Sequence, residues 1–520
     1  MTPQQRWTLA ATGLGLFMIF LDVLIVNVGL PAIQASFAVG EAGLQWVVAA
    51  YSLGMAVFIM SSATLADLHG RRRLYVAGVI VFTLASVACG LAPSIEVLNA
   101  ARGIQGAAAA TVNVTSLALV SAAFPEPAAK ARAIGIWAAI AGCSNAIGPT
   151  LGGFLVETVG WRSIFWVNLP VGIAVVILAL RHVEESRDPR PRTLDAVGQA
   201  LFMLAVGTFA FAVIEGPHGG WTRPAILACL AIAVVAGTTF ARYELRARDP
   251  MMDLTLFRDR VYALAIATVC VALFTFYGML LLVTQYLQNV RGFTPVQTGL
   301  FLLPFSVAML IGSPVAGSMV GRYGTATPIR LGLAIMIVAL AVLMVGTARH
   351  PVLVASGLAA AGFGFALCIT PITSLAMASV EPARAGMASG IMSAQRAIGS
   401  TLGFAVMGSI LSAWLGATLD SDLAAVVKSP TERAQIAQEI IRGANPRAHI
   451  AEIGPAAPIP WRDDVHDIAE ADFVTGIRVA LSSGMALLAI VFVAGLAWFP
   501  RGRDAMARDA QREATAESKP

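Results

Sequence analysis

Three formal charges stand inside otherwise apolar stretches of this chain: Asp22 in a run near 8–33, Arg102 in a run near 97–123 and Arg396 in a run near 385–413. An ionised side chain in hydrocarbon is costly and nearly always faces a bundle interior or a watery cavity, so each is a functional candidate that needs a partner. At about 1.5 Å per residue, Asp22 lies ~21 Å beyond Thr8 and Arg102 lies ~8 Å below the outer end of its own run. If the two runs cross in opposite directions, both groups fall in the same half of a bilayer and can meet. A carboxylate whose arginine partner or hydration changes can take up and release a proton, so the chemistry expected here is proton transfer.

The elements that hold these residues follow from composition. With 57% apolar and only 12% charged residues over 520 positions, the chain departs from soluble domains, where about a quarter of residues are charged. Fourteen apolar runs long enough to cross about 30 Å of hydrocarbon lie near 8–33, 44–65, 74–93, 97–123, 132–157, 163–181, 194–214, 224–242, 261–287, 297–320, 329–347, 351–377, 385–413 and 477–499. An even number places both ends on one side. That side would hold Arg6, Arg71 to Arg73, Lys130, Arg132, the arginines between 181 and 192 and between 242 and 260, Arg322, Arg330, Arg384 and a basic tail. The opposite side holds only Arg162, Arg223, Arg291 and Arg349 in short loops, which predicts cytoplasmic termini in a plasma (inner) membrane. The positive charge is thereby explained by orientation, without nucleic acid. Five cysteines lie within apolar runs at no metal-ligand spacing, and no Gly-Lys-Ser/Thr phosphate loop or nucleophile triad occurs, so neither a metal centre, an ATP-driven pump nor an enzyme is expected.

The chain repeats itself. Glu126-Pro127-Ala128 returns as Glu381-Pro382-Ala383, Gly135-Ile136 as Gly390-Ile391, and the Ser144/Gly148 pair as Gly399/Gly403, all 255 residues apart. Two six-helix halves with an inserted pair follow, and such repeats place a transport site near the midplane between the halves. The expected organisation is 1–182 as the first half, 183–260 as the inserted seventh and eighth helices with a linker, and 261–413 as helices nine to thirteen. An outer loop over 414–476, a last helix over 477–500 and a tail over 501–520 complete it. Within the loop, Pro430 to Gly443 has apolar residues at Ala434, Ile436, Ile440 and Ile441, spaced either for an amphipathic helix over the outer mouth or for a solvated excursion.

Several motifs carry a resemblance. Leu21-Asp22-Val23-Leu24-Ile25-Val26-Asn27-Val28-Gly29-Leu30-Pro31 resembles the first-helix pattern Leu-Asp-x-Thr-x-x-Asn-x-Ala-Leu-Pro of the fourteen-helix drug:proton antiporter branch of the major facilitator superfamily. It departs at Leu24 and Gly29. Ala63-Thr64-Leu65-Ala66-Asp67-Leu68-His69-Gly70-Arg71-Arg72 is similar to the superfamily's loop pattern between helices two and three, with Ala63 and Leu68 departing. Arg102-Gly103-Ile104-Gln105-Gly106 looks like its fourth-helix pattern, and Ser144-Asn145-Ala146-Ile147-Gly148-Pro149-Thr150-Leu151-Gly152-Gly153 its antiporter signature. Trp161-Arg162, Asn168-Leu169-Pro170 and Pro250-Met251-Met252-Asp253-Leu254 match the branch further.

The resemblance implies an all-α membrane protein with the major-facilitator fold: two pseudo-symmetric six-helix halves plus two inserted helices. It implies a monomeric proton-coupled exporter of amphipathic organic compounds that needs no cofactor beyond the proton gradient. Its partners would be substrate, protons and the lipid bilayer. Asp22 and Arg102 would couple protons. Asp67, Gly70, Arg71 and Arg72 would latch one gate through charge-assisted bonds. Ser144, Gly148, Pro149, Gly152 and Gly153 would form a tight, bent seam between the halves. Polar and aromatic residues deep in the runs are candidate cavity walls: Asn27, Gln105, Asn113, Trp137, Phe276, Tyr277, Gln285, Tyr286, Gln288, Gln395 and Arg396. A lipid or peptide exporter of the same fold is the alternative, and a non-transporting sensor or scaffold a more distant one.

Overall fold

The computed structural model describes residues 1–187, 193–247, 249–380, 385–441 and 459–499. Glu381-Pro382-Ala383, Arg190, Arg192, Arg248, Arg384 and the basic tail 501–520 lie outside the described residues. Helix α1 spans Pro3–Phe37, α2 Glu41–His69, α3 Arg71–Gly90, α4 Ile95–Ala123 and α5 Pro127–Thr158. The sixth span is broken into α6 (Ser163–Trp166) and α7 (Asn168–His182), and α8 (Ala196–Gly219) and α9 (Pro224–Glu244) form the inserted pair. The second half holds α10 (Arg260–Gln285), extended by a π turn over Tyr286–Val290, then α11 (Pro295–Tyr323), α12 (Ala326–Arg349), α13 (Pro351–Ala378) and α14 (Ala385–Leu423). Helices α15 (Pro430–Ile441) and α16 (Ile459–Trp498) complete the described chain. Fourteen spans are long and apolar enough to cross a membrane.

Local sequence sets these starts. Thr2 and Thr294 each form a capping box with the glutamine three residues on, and a proline follows each in the first helical position, where its missing N–H costs nothing. Gly70 ends α2 and opens α3 with φ +105°, a conformation that suits only glycine.

The halves meet along two related seams: α2 packs on α14, and α5 on α11. By the 255-residue repeat, α11 is the counterpart of α2 and α14 that of α5, so the two seams are pseudo-symmetric versions of one contact. We call the end of the bundle carrying the start of α1 and Arg71 to Arg73 the basic face, and the other the distal face. Near the distal face the seams are closed. A Cβ on Gly153 would lie 2.3 Å from the Pro295 carbonyl, one on Gly299 would lie 2.3 Å from the Pro149 carbonyl, and the Val296 N–H donates to the Glu157 carboxylate at 3.2 Å. Gln288 donates across from α10's π turn to the Val28 carbonyl at 3.0 Å. Toward the basic face α5 and α11 part, and a Cβ on Gly135, Gly142, Gly317 or Gly321 would meet nothing within 4 Å.

The inserted α8 lies along the α2/α14 seam and touches both helices. Gln199 donates to the Val57 carbonyl at 2.7 Å and accepts from Ser61; Glu215 accepts from Trp46 at 2.9 Å; Ser409 of α14 donates to the Val213 carbonyl at 2.8 Å.

The stretch 414–476 differs most from the expected loop. Helix α14 continues to Leu423, and α16 begins at Ile459 rather than near 477. At 40 residues, α16 is ~60 Å long, twice the hydrocarbon thickness of about 30 Å, so its first half must project beyond the distal face. Ile436 and Ala437 of α15 are buried with Leu419, Leu423, Val427, Val465 and Ala469. The i, i+4 spacing of Leu419/Leu423 and Val465/Ala469 supplies an apolar stripe on each projecting helix, which a loop reading overlooks.

Overpacking the closed seam should be measurable. Gly299→Leu is expected to lower stability by about 1–3 kcal/mol, the usual cost of forcing extra volume into a close contact. Gly317→Ala, on the same helix in open space, should leave it unchanged or slightly raised. Thermal unfolding in detergent compares them; equal midpoints for both variants would contradict the seam.

Candidate functional site

Asp22 and Arg102 are both fully buried, with Arg102 Nη1 2.5 Å from Asp22 Oδ2. The other carboxylate oxygen accepts from Gln105 Nε2 at 3.0 Å and from Asn168 Nδ2 at 2.8 Å. Arg102 Nη1 also donates to Gln105 Oε1 at 2.7 Å, and its Nε donates to the Val47 carbonyl at 3.0 Å. The guanidinium carbon sits 4.3 Å from the centre of the Tyr51 ring, a cation–π contact, while the Tyr51 hydroxyl donates to the Ile19 carbonyl at 3.0 Å. Arg102 Nη2 and Asn168 Oδ1 find no partner among the described residues.

Backbone closeness builds this arrangement. A Cβ on Gly106 would lie 2.0 Å from the Tyr51 carbonyl, and one on Gly54 would lie 2.3 Å from the Gly103 carbonyl. Helices α2 and α4 therefore touch through their main chains, which brings Tyr51 over Arg102 and Val47 to its Nε. The break after α6 starts α7 at Asn168, and Pro170, within the first turn, needs no N–H partner there. Asn168 also donates to Ser86 at 3.0 Å, and Ser86 donates to the Phe165 carbonyl at 2.8 Å. Helix α4 and the sixth span thus bond the carboxylate on α1 directly, while α2 holds Arg102 and α3 holds Asn168. Three donors, one of them cationic, meet the two oxygens of the Asp22 carboxylate.

The other expected site residues fall into separate groups. Gln105 belongs to the ion pair rather than to a cavity wall. Asn27 is buried, and its amide nitrogen bonds back to the Val23 carbonyl of its own helix at 2.8 Å. The signature residues divide between two neighbours, which corrects the expectation of a single seam between halves. Gly148 and Gly152 pack on α1, against Leu24 and Ile25, because a residue spaced i, i+4 from another shares its face; Gly153 and Pro149, on the adjoining face, meet α11. Ser144 is buried on α5.

At the basic face, Asp67 Oδ1 accepts from Arg71 Nη2 at 2.9 Å and Nε at 3.1 Å. The sequence reading missed Glu185, whose carboxylate caps α3 by accepting from the N–H groups of Arg72 at 2.9 Å and Arg73 at 3.1 Å. Arg72 Nη1 donates to the Val183 carbonyl at 3.2 Å. Among the described residues this latch joins the turn between α2 and α3 to the chain just after α7. Glu185 stands in a mixed-charge stretch after α7 with no motif, so only the fold assigns it.

Phe276 is buried, stacks on Phe305 at 4.8 Å and lines a small cavity with Leu24 and Pro149 of the first half. Gln285 and Tyr286 are buried near the distal end. Trp137 is half-buried and donates to Ser116 at 3.3 Å; Asn113 and Gln395 are half-buried. Tyr277 is half-buried, packs against all three large apolar clusters and lies 5.4 Å from Phe404, which puts it at the centre of the molecule. Arg396 is exposed and donates to Thr373 of α13 at 3.0 Å.

Residues 12–404 match the family described as the Major Facilitator Superfamily. Over 501 residues, 96% of this chain and 93% of the relative, the sequence is 61% identical to "Multidrug resistance protein Stp" of Mycobacterium tuberculosis (strain CDC 1551 / Oshkosh). It is 44% identical to "Drug efflux pump JefA" of the same strain, over 96% of this chain and 99% of that one. It is 31% identical to "Tetracenomycin C resistance and export protein" of Streptomyces glaucescens, over 95% and 91%. Among solved structures, a bacterial homologue of the human lysosomal transporter Spinster, inward-facing and occupied, matches with a TM-score of 0.66 at 17% identity, over 95% of this chain and 97% of that one, a likeness of fold.

A double-mutant cycle measures the buried pair. Asp22→Asn and Arg102→Gln should each destabilise by about 3–5 kcal/mol, since each strands one buried charge. The double variant should cost less than the sum, with a coupling above about 2 kcal/mol. Additive losses in denaturation of the purified protein would show that the two groups do not interact.

Proposed function

The chain belongs to the major facilitator superfamily, and from that premise we propose that it is a proton-coupled exporter of amphipathic organic compounds that works by alternating access of its two six-helix halves. The reading is supported by one observation above the others: a carboxylate and a guanidinium, both fully buried, joined at 2.5 Å inside the first half. It is supported also by relatives whose names state multidrug resistance and drug efflux. The lysines and arginines at the basic face argue for a plasma-membrane protein with that face in the cytoplasm.

Asp22 is the proton carrier. With the distal seams closed and α5 and α11 parted toward the basic face, Asp22 is ionised and held by Arg102, Gln105 and Asn168, and substrate enters from the cytoplasmic side. When the halves rock and the distal seams open, a proton from outside binds Asp22 and cancels the charge that holds Arg102. Substrate leaves to the outside. Return to the first state re-forms the pair and delivers the proton inward, down its gradient. Gly153, Pro149 and Gly299 form the part of the distal seam that must separate. Asp67, Gly70, Arg71 and Arg72, with Glu185, fix the turn between α2 and α3, so that the first half moves as one body.

Transport in proteoliposomes under an imposed pH gradient tests the reading. Asp22→Asn is expected to lose gradient-driven export while retaining substrate binding; full export by this variant would remove Asp22 from the proton path. Arg102→Ala is expected to displace the pH profile of transport, and an unchanged profile would detach it from proton coupling.

A further inference from the structure

Away from span ends, and setting aside the part of α16 that projects past the distal face, the charged side chains of the described spans are Asp22, Arg102 and Arg396. The first two neutralise each other and are sealed from solvent. Arg396 is different. It stands eleven residues into α14, ~17 Å along the helix, yet it is exposed, and among the described residues its one hydrogen bond is to the Thr373 hydroxyl. No carboxylate among the described residues pairs with it.

The exposed face is not the lipid face. Arg396 shares a side of α14 with Gly399 and Gly403, three and seven residues on, where an added Cβ would press on the Cys270 and Phe274 carbonyls of α10. Ile398, Thr401 and Leu402, roughly opposite on the helix, line an apolar groove with α8 and α9. The bond to Thr373 reaches α13, and Tyr277 of α10 lies within electrostatic reach. Tyr277 is 255 residues beyond Asp22, the position that the repeat makes its counterpart. The second half therefore carries no acid where the first half has one, and sets a hydroxyl there, near a guanidinium that has no carboxylate partner among the described residues.

We propose that Arg396, with Tyr277 and Thr373, forms the polar end of the substrate site and selects amphipathic aromatic anions, above all carboxylates, over cations. The inference rests on the exporter reading and names its substrate class. A planar guanidinium offers two parallel donors to a carboxylate. With the Asp22 charge already matched by Arg102, the net charge facing the opening is positive, which repels organic cations.

The test uses the full chain in proteoliposomes under a pH gradient, with three fluorescent compounds: pyrenebutyrate, its uncharged methyl ester, and the cationic dye ethidium. Wild type is expected to export pyrenebutyrate faster than ethidium. Arg396→Gln should slow pyrenebutyrate about tenfold or more, the scale of one lost charge-assisted hydrogen bond, and slow the ester less than about threefold; Arg396→Lys should restore part of the difference. If Arg396→Gln slows acid and ester alike, or if wild type moves ethidium and not pyrenebutyrate, the anion site is overturned while the exporter reading stands. If wild type moves none of the three compounds, nor any member of a wider panel, under the gradient, the exporter reading fails and this inference with it.

Discussion

The constraint on which the rest depends is the need to hold one carboxylate, Asp22, dry in the middle of a helix bundle against one guanidinium. An isolated ion there is prohibitive, and even a matched pair is a weak contributor to stability, since its attraction is largely spent on the water it gave up. What makes the pair tenable is the number of polar groups aimed at it: Arg102, Gln105 and Asn168 on the acid, Val47 and Tyr51 on the base. Supplying them requires the second, fourth and sixth spans to reach the same point on the first, with α3 steadying Asn168 through Ser86. The glycine contacts between α2 and α4 and the break before Asn168 are local features whose value lies in that convergence.

The second half shows what happens when the constraint is absent. With Tyr277 in place of an acid, its core closes with aromatic packing, Phe276 on Phe305 and Tyr277 on Phe404. Arg396 is left on the open side of α14, bonded to one hydroxyl. One repeat thus buries its charge in a completed network, and the other presents its charge without a carboxylate. The two repeats are thus asymmetric: the first is built around an internal ion pair, and in the second Arg396 bonds to a hydroxyl with no carboxylate partner among the described residues.

At the distal face the α5/α11 seam is held by backbone approach at glycine and a single hydrogen bond, and the α2/α14 seam by Ser409 donating to the Gln45 side chain at 3.4 Å. Such contacts are directional but few, the kind of interface that can separate as a unit. The inserted α8, touching α2 and α14 together, adds a third support to one seam and none to the other, so the two seams are equivalent by repeat but not by environment.

The sequence by itself determined the class, the fourteen spans and the two charges most deeply placed, because burial of an unmatched ion in hydrocarbon is so costly that a carboxylate amid apolar residues announces a partner. It also determined the repeat, since matched residues at one offset survive in the chain itself. Contacts between distant segments are not written in local pattern, and these the tertiary structure decided: that Asn168 and Gln105 complete the acid's shell, that Glu185 caps α3, and that the signature glycines serve α1 and α11 by turns. In 414–476 the helix at Pro430–Ile441 was one of the two readings the sequence offered, but the extensions of α14 and α16 were missed because mixed charge masked an i, i+4 stripe that has meaning only when Leu419, Ile436 and Val465 face one another. Whether Arg396 meets a carboxylate, lipid or an open cavity depends on which neighbours its helix face turns toward, and only the packing of α10 and α13 around it fixes that.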